Sequence, residues 1–311
     1  MERKRSIKLA IAAAFVFAGI AQFAGAAPIP IVEYQFNSTT GGGTITPVSA
    51  GTVAAANATA PNLTMFGDDG VTATNRIGSV GPSGLAGDTA LLAATAATSK
   101  SISKFSGDIA QLDNLKSYTM TFWIKGANIS AASDRIALYG GTDGSAAGSI
   151  EAEANAGTPT GNLNIKVSNS AQATGGLYTT NQWSFVAITY DGSNGAAAVN
   201  NLLAYNGSTA SFNTTPATFT NTTGTLPNPT IQQLLVGNRS SDSLRPLGYL
   251  LDDLTIYGST TDSSGALSAS DLQTVYANDL ANVSSAATPE PGSLAVMGLG
   301  MLAMAGRRRR A

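Results

Sequence analysis

The sequence predicts an all-β chain folded as an antiparallel β-sandwich, and three observations carry that expectation. The eight residues Trp183–Tyr190 (WSFVAITY) are aromatic, β-branched or small, with no proline, glycine or charge among them. That composition suits a strand inside a sheet, and Asp191-Gly192 supplies the turn that ends it. Tyr118–Lys125 alternates, with Tyr118, Met120, Phe122 and Ile124 on one face and Thr119, Thr121, Trp123 and Lys125 on the other. This is the pattern of a half-buried antiparallel strand. Further short apolar runs recur between Gly, Asn and Asp turns, which is the spacing of a sandwich.

Composition bounds the rest. A length of 311 residues fits one large domain or two small ones. Charged residues make up 12% of the chain, about half the usual share. Low charge with many β-branched and turn-forming residues favours a globular chain over disorder. The chain contains no cysteine, so disulfides and thiolate metal sites are excluded. It contains no histidine either, which removes the commonest general base, the usual zinc ligand and every Ser-His-Asp arrangement.

Taken in order, Ile31–Phe36 reads as a first strand, followed by a polar, glycine-rich loop from Asn37 to Gly43. From Thr44 to Lys100 the chain is biased to Ala, Thr, Gly and Ser, and Ala90–Ala97 fits a strand or a short helix equally. Beyond Tyr118–Lys125, strands are expected at Asp134–Tyr139, Ser149–Glu153 and Asn162–Val167. After the central strand they are expected at Val199–Tyr205, Ile231–Val236 and Tyr249–Tyr257. One helix is predicted. Ser268 is its N-cap, Asp271 the capping partner three residues on, and Leu267 with Leu272 a hydrophobic staple. It should run to about Ala277 and pack Leu272, Val275 and Tyr276 on the sandwich.

Both ends fall outside this domain, which spans 27–280. Residues 1–26 read as a secretory signal peptide handled by the Sec export machinery. Arg3, Lys4, Arg5 and Lys8 are basic, Ile7–Gly19 is apolar apart from Lys8, and Ala24-Gly25-Ala26 offers a cleavage site. The alternative is an uncleaved anchor. At the other end, a small-residue linker (281–288) leads to Pro289-Glu290-Pro291, the apolar run Gly292–Gly306 and the cluster Arg307, Arg308, Arg309 and Arg310. Residues 289–311 resemble the PEP-CTERM sorting signal. The resemblance implies recognition and removal by an exosortase after transient membrane insertion, and a final location at the cell envelope or outside the cell. Fifteen apolar residues are short for a stable span of about 20, and the arginines belong on the cytoplasmic side; a permanent tail anchor is the alternative.

Without the ends the body is acidic. Four of the 17 basic residues lie in the leader and four in the tail, while of the 19 acidic residues only Glu2 is lost with them if Glu290 is kept, leaving a balance near −9. That argues against nucleic acid or anionic lipid as a partner.

Four segments together resemble the laminin-G or concanavalin A-like jelly roll. They are Tyr118–Lys125 (YTMTFWIK), Gln182–Gly192 (QWSFVAITYDG), Leu235–Asn238 (LVGN), and Leu251–Tyr257 followed by Ala266–Tyr276. They span residues 118–277. Gly248 stands four residues before Asp252 where the family pattern has two, so a bulge or altered loop is expected in the closing strand.

The resemblance implies two chemistries to weigh. Glucanases on this fold carry E-x-D-x-x-E on one strand, and glycoside hydrolysis needs two carboxyls at a fixed separation. Glu151 and Glu153 share a strand face, but no aspartate lies between them and no third glutamate follows. They read as an exposed acidic face, so no catalytic residue is assigned and the chain is not expected to be an enzyme. Some members of the family bind calcium through loop and strand-end carboxylates. Asp252, in the closing motif, and Asn37, after the first strand, are the candidate ligands. By simple alternation Asp252 shares a face with Leu250, Leu254 and Ile256 and is buried, so it needs a partner: backbone N–H groups or a cation. Asp68-Asp69-Gly70 reads as a turn. Trp123 and Trp183, both on strands, read as core. The expected function is an exported, non-catalytic module that binds extracellular polysaccharide or matrix. The alternatives are a glycan-active hydrolase or lyase using an unrecognised aspartate pair, and a passive surface or matrix protein.

Overall fold

The structure, a computed structural model, describes residues 29–36, 44–45, 63–66, 77–85, 88–92, 102–126, 134–141, 146–154, 161–168, 170–174, 176–195, 198–238 and 249–281. Among these the strands are, in chain order, β1 (Val32–Tyr34), β2 (Thr44–Ile45), β3 (Leu63–Phe66), β4 (Ile77–Val80), β5 (Thr89–Leu92) and β6 (Ile102–Ser106). Then come β7 (Ser117–Gly126), β8 (Asp134–Tyr139), β9 (Ile150–Ala154), β10 (Leu163–Val167) and β11 (Ser170–Thr174). The last five are β12 (Ser184–Asp191), β13 (Leu202–Ser208), β14 (Phe212–Phe219), β15 (Gln233–Val236) and β16 (Tyr249–Ser259). Helix α1 (Ala269–Leu280) closes the order.

The strands form two antiparallel sheets. The first runs β14-β13-β12-β7-β16-β5-β4, with β1 also on β16; the second runs β11-β10-β9-β8-β15-β6-β3-β2. Tyr118, Met120, Phe122, Val186, Ile188, Tyr190, Leu254 and Ile256 of the first sheet share one core with Ile136, Tyr139, Ile150, Ile165, Leu234 and Val236 of the second. Tyr118 and Tyr190, opposite each other on β7 and β12, bring their rings to 5.7 Å. This is the sandwich the alternation predicts.

Strand β7 departs from the half-buried expectation because both its faces are buried. On its outer side Ser117, Thr119 and Trp123 meet the closing segment. Ser117 Oγ donates to Asp262 O, and Gly265 N donates back to Ser117 Oγ. Thr119 Oγ1 donates to Gly265 O at 2.8 Å and accepts from Leu267 N at 2.9 Å. These bonds set the path of the chain into α1. The capping box of Ser268 and Asp271 forms as predicted, and Leu272, Val275 and Tyr276 are buried. The helix runs three residues beyond Ala277, to Leu280, so that Asp279 lies buried in its last turn.

A second apolar cluster therefore sits between the first sheet and α1, built on Trp123, Trp183, Phe185, Tyr205, Leu272 and Tyr276. Trp123 stacks on Tyr276 at 5.6 Å and tilts against Phe185 at 5.4 Å. Both tryptophans pack as core, as expected. In the Ala/Thr-rich stretch Thr89–Leu92 is a strand, and residues 93–97 lie outside the described residues.

Thr119→Val keeps the shape of the side chain but leaves Gly265 O and Leu267 N without their partner. The expected loss is about 1–3 kcal/mol, read as a lower urea midpoint with an unchanged denaturant slope.

Candidate functional site

The site forms where β16 changes neighbours. Along one edge β16 pairs with β7 throughout. Along the other it pairs with β5 at Leu250 and Leu251, then with β1 from Leu254 to Ile256. Asp252 and Asp253 fall between those two partners, and the register with β7 shifts between Asp252 and Thr255. Asp253 has φ 47°, in the left-handed region that a non-glycine residue adopts only at some cost.

This bulge corrects the predicted face of Asp252. Asp252 is paired with Trp123 and lies on the outer side of the sheet with Leu250, whereas Leu254 and Ile256 point into the inter-sheet core. It is buried, as expected. The closing strand does carry a bulge, but it follows Asp252, whereas the residues from Tyr249 to Asp252 pair regularly with β7.

One carboxylate oxygen of Asp252, Oδ1, accepts from Asp253 N at 3.0 Å. The other, Oδ2, has no hydrogen-bond donor and is fully buried. It converges with Asp88 Oδ1 over Gly81. A Cβ at Gly81 would lie 2.4 Å from the first oxygen and 2.2 Å from the second. Asp88 is positioned by the β4–β5 hairpin: Gly81 N donates to Asp88 O, and Ser83 donates to Asp88 Oδ2 through both N (2.9 Å) and Oγ (2.5 Å).

Three more buried carboxyls surround the pair. Asp279 reaches in from α1 and accepts from Trp123 Nε1 at 3.0 Å. Glu33 on β1 accepts from Gln35 Nε2 at 3.2 Å. Asp253 is the third. Burial pushes Asp252 well above the usual carboxylate range, and the charge of Asp88 adds to it. Burial does the same to Asp253, followed by Asp252 and Asp279. Asp279 is raised by burial, against the pull of the Trp123 N–H. The charges acting on these three groups are carboxyls.

The donors suit a hard cation, because they are all oxygens. Among the described residues no three acidic side chains are arranged to hold a metal. A cation here would take Asp88 and Asp252 as its carboxylates and complete its shell with carbonyls or water. The orphaned Oδ2 and the space over Gly81 fit that role. Asn37, the other expected ligand, lies outside the described residues, as do Asp68-Asp69-Gly70, the leader, and Pro289, Glu290, Pro291 and Arg307–Arg310. Among the described residues no helix is long and apolar enough to cross a membrane.

Glu151 and Glu153 do not form an exposed face. Both are buried on the outer side of the second sheet and paired with Arg135 of β8. Lys166 Nζ on β10 lies 3.5 Å from Glu151 and 3.4 Å from Glu153, and Asn164 Nδ2 donates to Glu153 Oε1 at 2.5 Å. The oxygens that a glycosidase pair needs for acid and nucleophile work are engaged by two cations instead.

Residues 97–264 match the family model of the concanavalin A-like lectin/glucanases superfamily, over half the chain. The chain belongs to this superfamily. Residues 287–310 match the PEP-CTERM protein-sorting motif, the mark of an exported protein of the cell envelope. No match is found among curated proteins. Similar solved structures include domain 4 of AbnA, an extracellular arabinanase from Geobacillus stearothermophilus, in complex with arabinotriose. It is 16% identical, with 80% of this chain and 99% of that one covered and a TM-score of 0.50. A botulinum neurotoxin type C structure is 13% identical, covering 81% of this chain and 51% of that one, with a TM-score of 0.48. At such identities the likeness is one of fold.

Gly81→Ala should disrupt the carboxylate pair. A methyl group at those distances forces Asp88 and Asp252 apart, and the expected destabilisation is about 1–3 kcal/mol, measured by thermal melting against the parent chain.

Proposed function

We propose that this is an exported, non-catalytic carbohydrate-binding module, processed by an exosortase and released to the cell envelope or its surroundings. The superfamily covers lectins and glucanases. The observation that favours the first over the second is the capture of Glu151 and Glu153 by Arg135 and Lys166. Domain 4 of AbnA, of similar fold, was studied with arabinotriose, which supports a glycan as the class of ligand. The sorting motif supports exosortase processing. We further assign calcium to the Asp88–Asp252 pair, as a structural ion that neutralises buried carboxylates. The two readings are independent, since the cation site lies beneath α1 and Ser83 rather than in an open groove.

One aspartate pair keeps a hydrolase or lyase as second reading. Asp113 accepts from Tyr139 Oη at 3.2 Å and from Gln232 Nε2 at 3.2 Å. Burial raises it, and the neighbouring Asp108 raises it further.

The exported protein, isolated after secretion, is tested on immobilised polysaccharides with calcium and with a chelator, while soluble reducing ends are assayed in parallel. Binding without release of sugar is the expected result. Release of reducing ends that ceases in Asp113→Asn would replace the binding reading with the enzymatic one. No binding to any glycan sinks it.

The calcium assignment has a pH signature. Asp252, Asp253 and Asp279 have folded pKa values above the roughly 3.9 of an unfolded chain, so the folded state binds more protons than the unfolded. Their stabilising effect is complete below that value and is lost as pH rises through the folded pKa values. In chelator, Tm should therefore fall between about pH 4 and neutrality, and calcium should restore it at pH 7 but not at pH 4. Asp252→Asn should raise Tm in chelator and abolish the calcium response. A wild-type Tm indifferent to calcium at pH 7 would remove the metal.

A further inference from the structure

The hairpin β13–β14 and the segment 176–184 enclose an open cleft of about 230 Å³ at the end of the first sheet. None of the described residues lining it is charged. They include Gln182, Trp183, Asn206, Ser211 and Asn213. We propose that this cleft is the glycan-contacting site and that it takes a single neutral sugar ring. The proposal rests on the carbohydrate-binding reading above and gives it a location.

The cleft is held in shape by bonds that do not involve a ligand. On one wall, Leu177 N donates to Gly161 O, Asn181 N to Gly126 O, and Thr179 N to Ser184 Oγ. On the other, Ser208 Oγ accepts from Ala210 N and Ser211 N, and Tyr276 Oη donates to Ser208 O at 2.8 Å. The amides are oriented as well. Asn206 Nδ2 donates to Gly176 O, and Asn213 Nδ2 donates to Asn206 Oδ1, each at 3.2 Å. Those bonds tie the two walls together and fix which atoms of each amide remain presented.

Four groups are left for an occupant. Among the described lining residues, the carboxamide of Gln182, the indole N–H of Trp183 and the hydroxyls of Thr179 and Ser211 engage no partner. Trp183 is 8% exposed and otherwise packed in the outer cluster. It therefore offers an edge carrying a fixed donor rather than a face for stacking. A fixed indole donor beside free amide and hydroxyl groups suits the vicinal hydroxyls of a sugar. The volume lies below the roughly 300–1,000 Å³ of sites for drug-sized ligands, which limits the occupant to one ring. The absence of a cation among the described lining residues, in a body with a net charge near −9, disfavours uronic or sialic acids.

The test uses the exported protein and free D-glucose, D-galactose, D-mannose, L-arabinose, D-xylose and D-glucuronate, each competing with an immobilised polysaccharide that the wild type binds. Gln182→Ala and Ser211→Ala, both at exposed positions, are compared with wild type at unchanged Tm. Each lost hydrogen bond is worth about 0.5–1.5 kcal/mol, so each variant should weaken binding about two- to tenfold, and one or more neutral sugars should outcompete glucuronate. Glycan binding that persists unchanged in both variants overturns the cleft while leaving the module a glycan binder. Glucuronate competing as well as the best neutral sugar overturns the ligand class. A wild type that binds no polysaccharide overturns the cleft and the reading beneath it together.

Discussion

Strand β16 must line the inter-sheet core at Leu254 and Ile256 and also deliver carboxylates to the opposite side of the sheet at Asp252. Period-two alternation would put all three on one face. The register shift between Asp252 and Thr255 resolves the conflict, with Asp253 held at positive φ where β5 gives way to β1 as the neighbouring strand. Because β16 also pairs with β7, the geometry of this bulge reaches Trp123 and the bed on which α1 lies.

The same bulge creates the electrostatic problem. Five carboxyls are buried on or around the outer side of one sheet: Glu33, Asp88, Asp252, Asp253 and Asp279. The hydrogen bonds to them include ones from a backbone N–H, an indole N–H, an amide and the Ser83 N–H and hydroxyl. Such donors moderate the cost of a buried charge without cancelling it. The second sheet handles the same kind of burden differently, by inserting Arg135 between Glu151 and Glu153 and adding Lys166.

Much of the fold was legible because its strongest signals are local. Trp183–Tyr190 and Tyr118–Lys125 carry their own period and become the adjacent central strands, and Ser268 with Asp271 marks the helix start within one turn. What escaped depends on partners far away in sequence. Strand β14 is an edge strand whose residues are largely exposed and which includes Pro216, so it carries no apolar alternation. Asp88 sits in a hairpin drawn from the Ala/Thr/Gly-rich stretch, where neither period shows. Asp279 was hidden because Asn278 through Leu280 reads as a frayed helix end. Glu151 and Glu153 read as surface because nothing within β9 announces that Arg135, sixteen residues earlier on β8, will cover them. The cleft is harder still. Its walls come from separate segments, and its chemistry resides in neutral Gln, Asn and Ser residues that are common throughout the chain.

Chain order adds a constraint on when the acidic site can exist. Glu33 and Asp88 are made first, but their like-charged neighbours Asp252, Asp253 and Asp279 belong to the last strand and the last helix. In the unfolded chain these carboxylates are solvated and far apart, and no site is present. In the folded sandwich β16 and α1 bury them and bring the charges together. A proton or a cation that neutralises them is thus bound by the finished sandwich and not by the open chain, so its binding free energy adds to the closing of the fold.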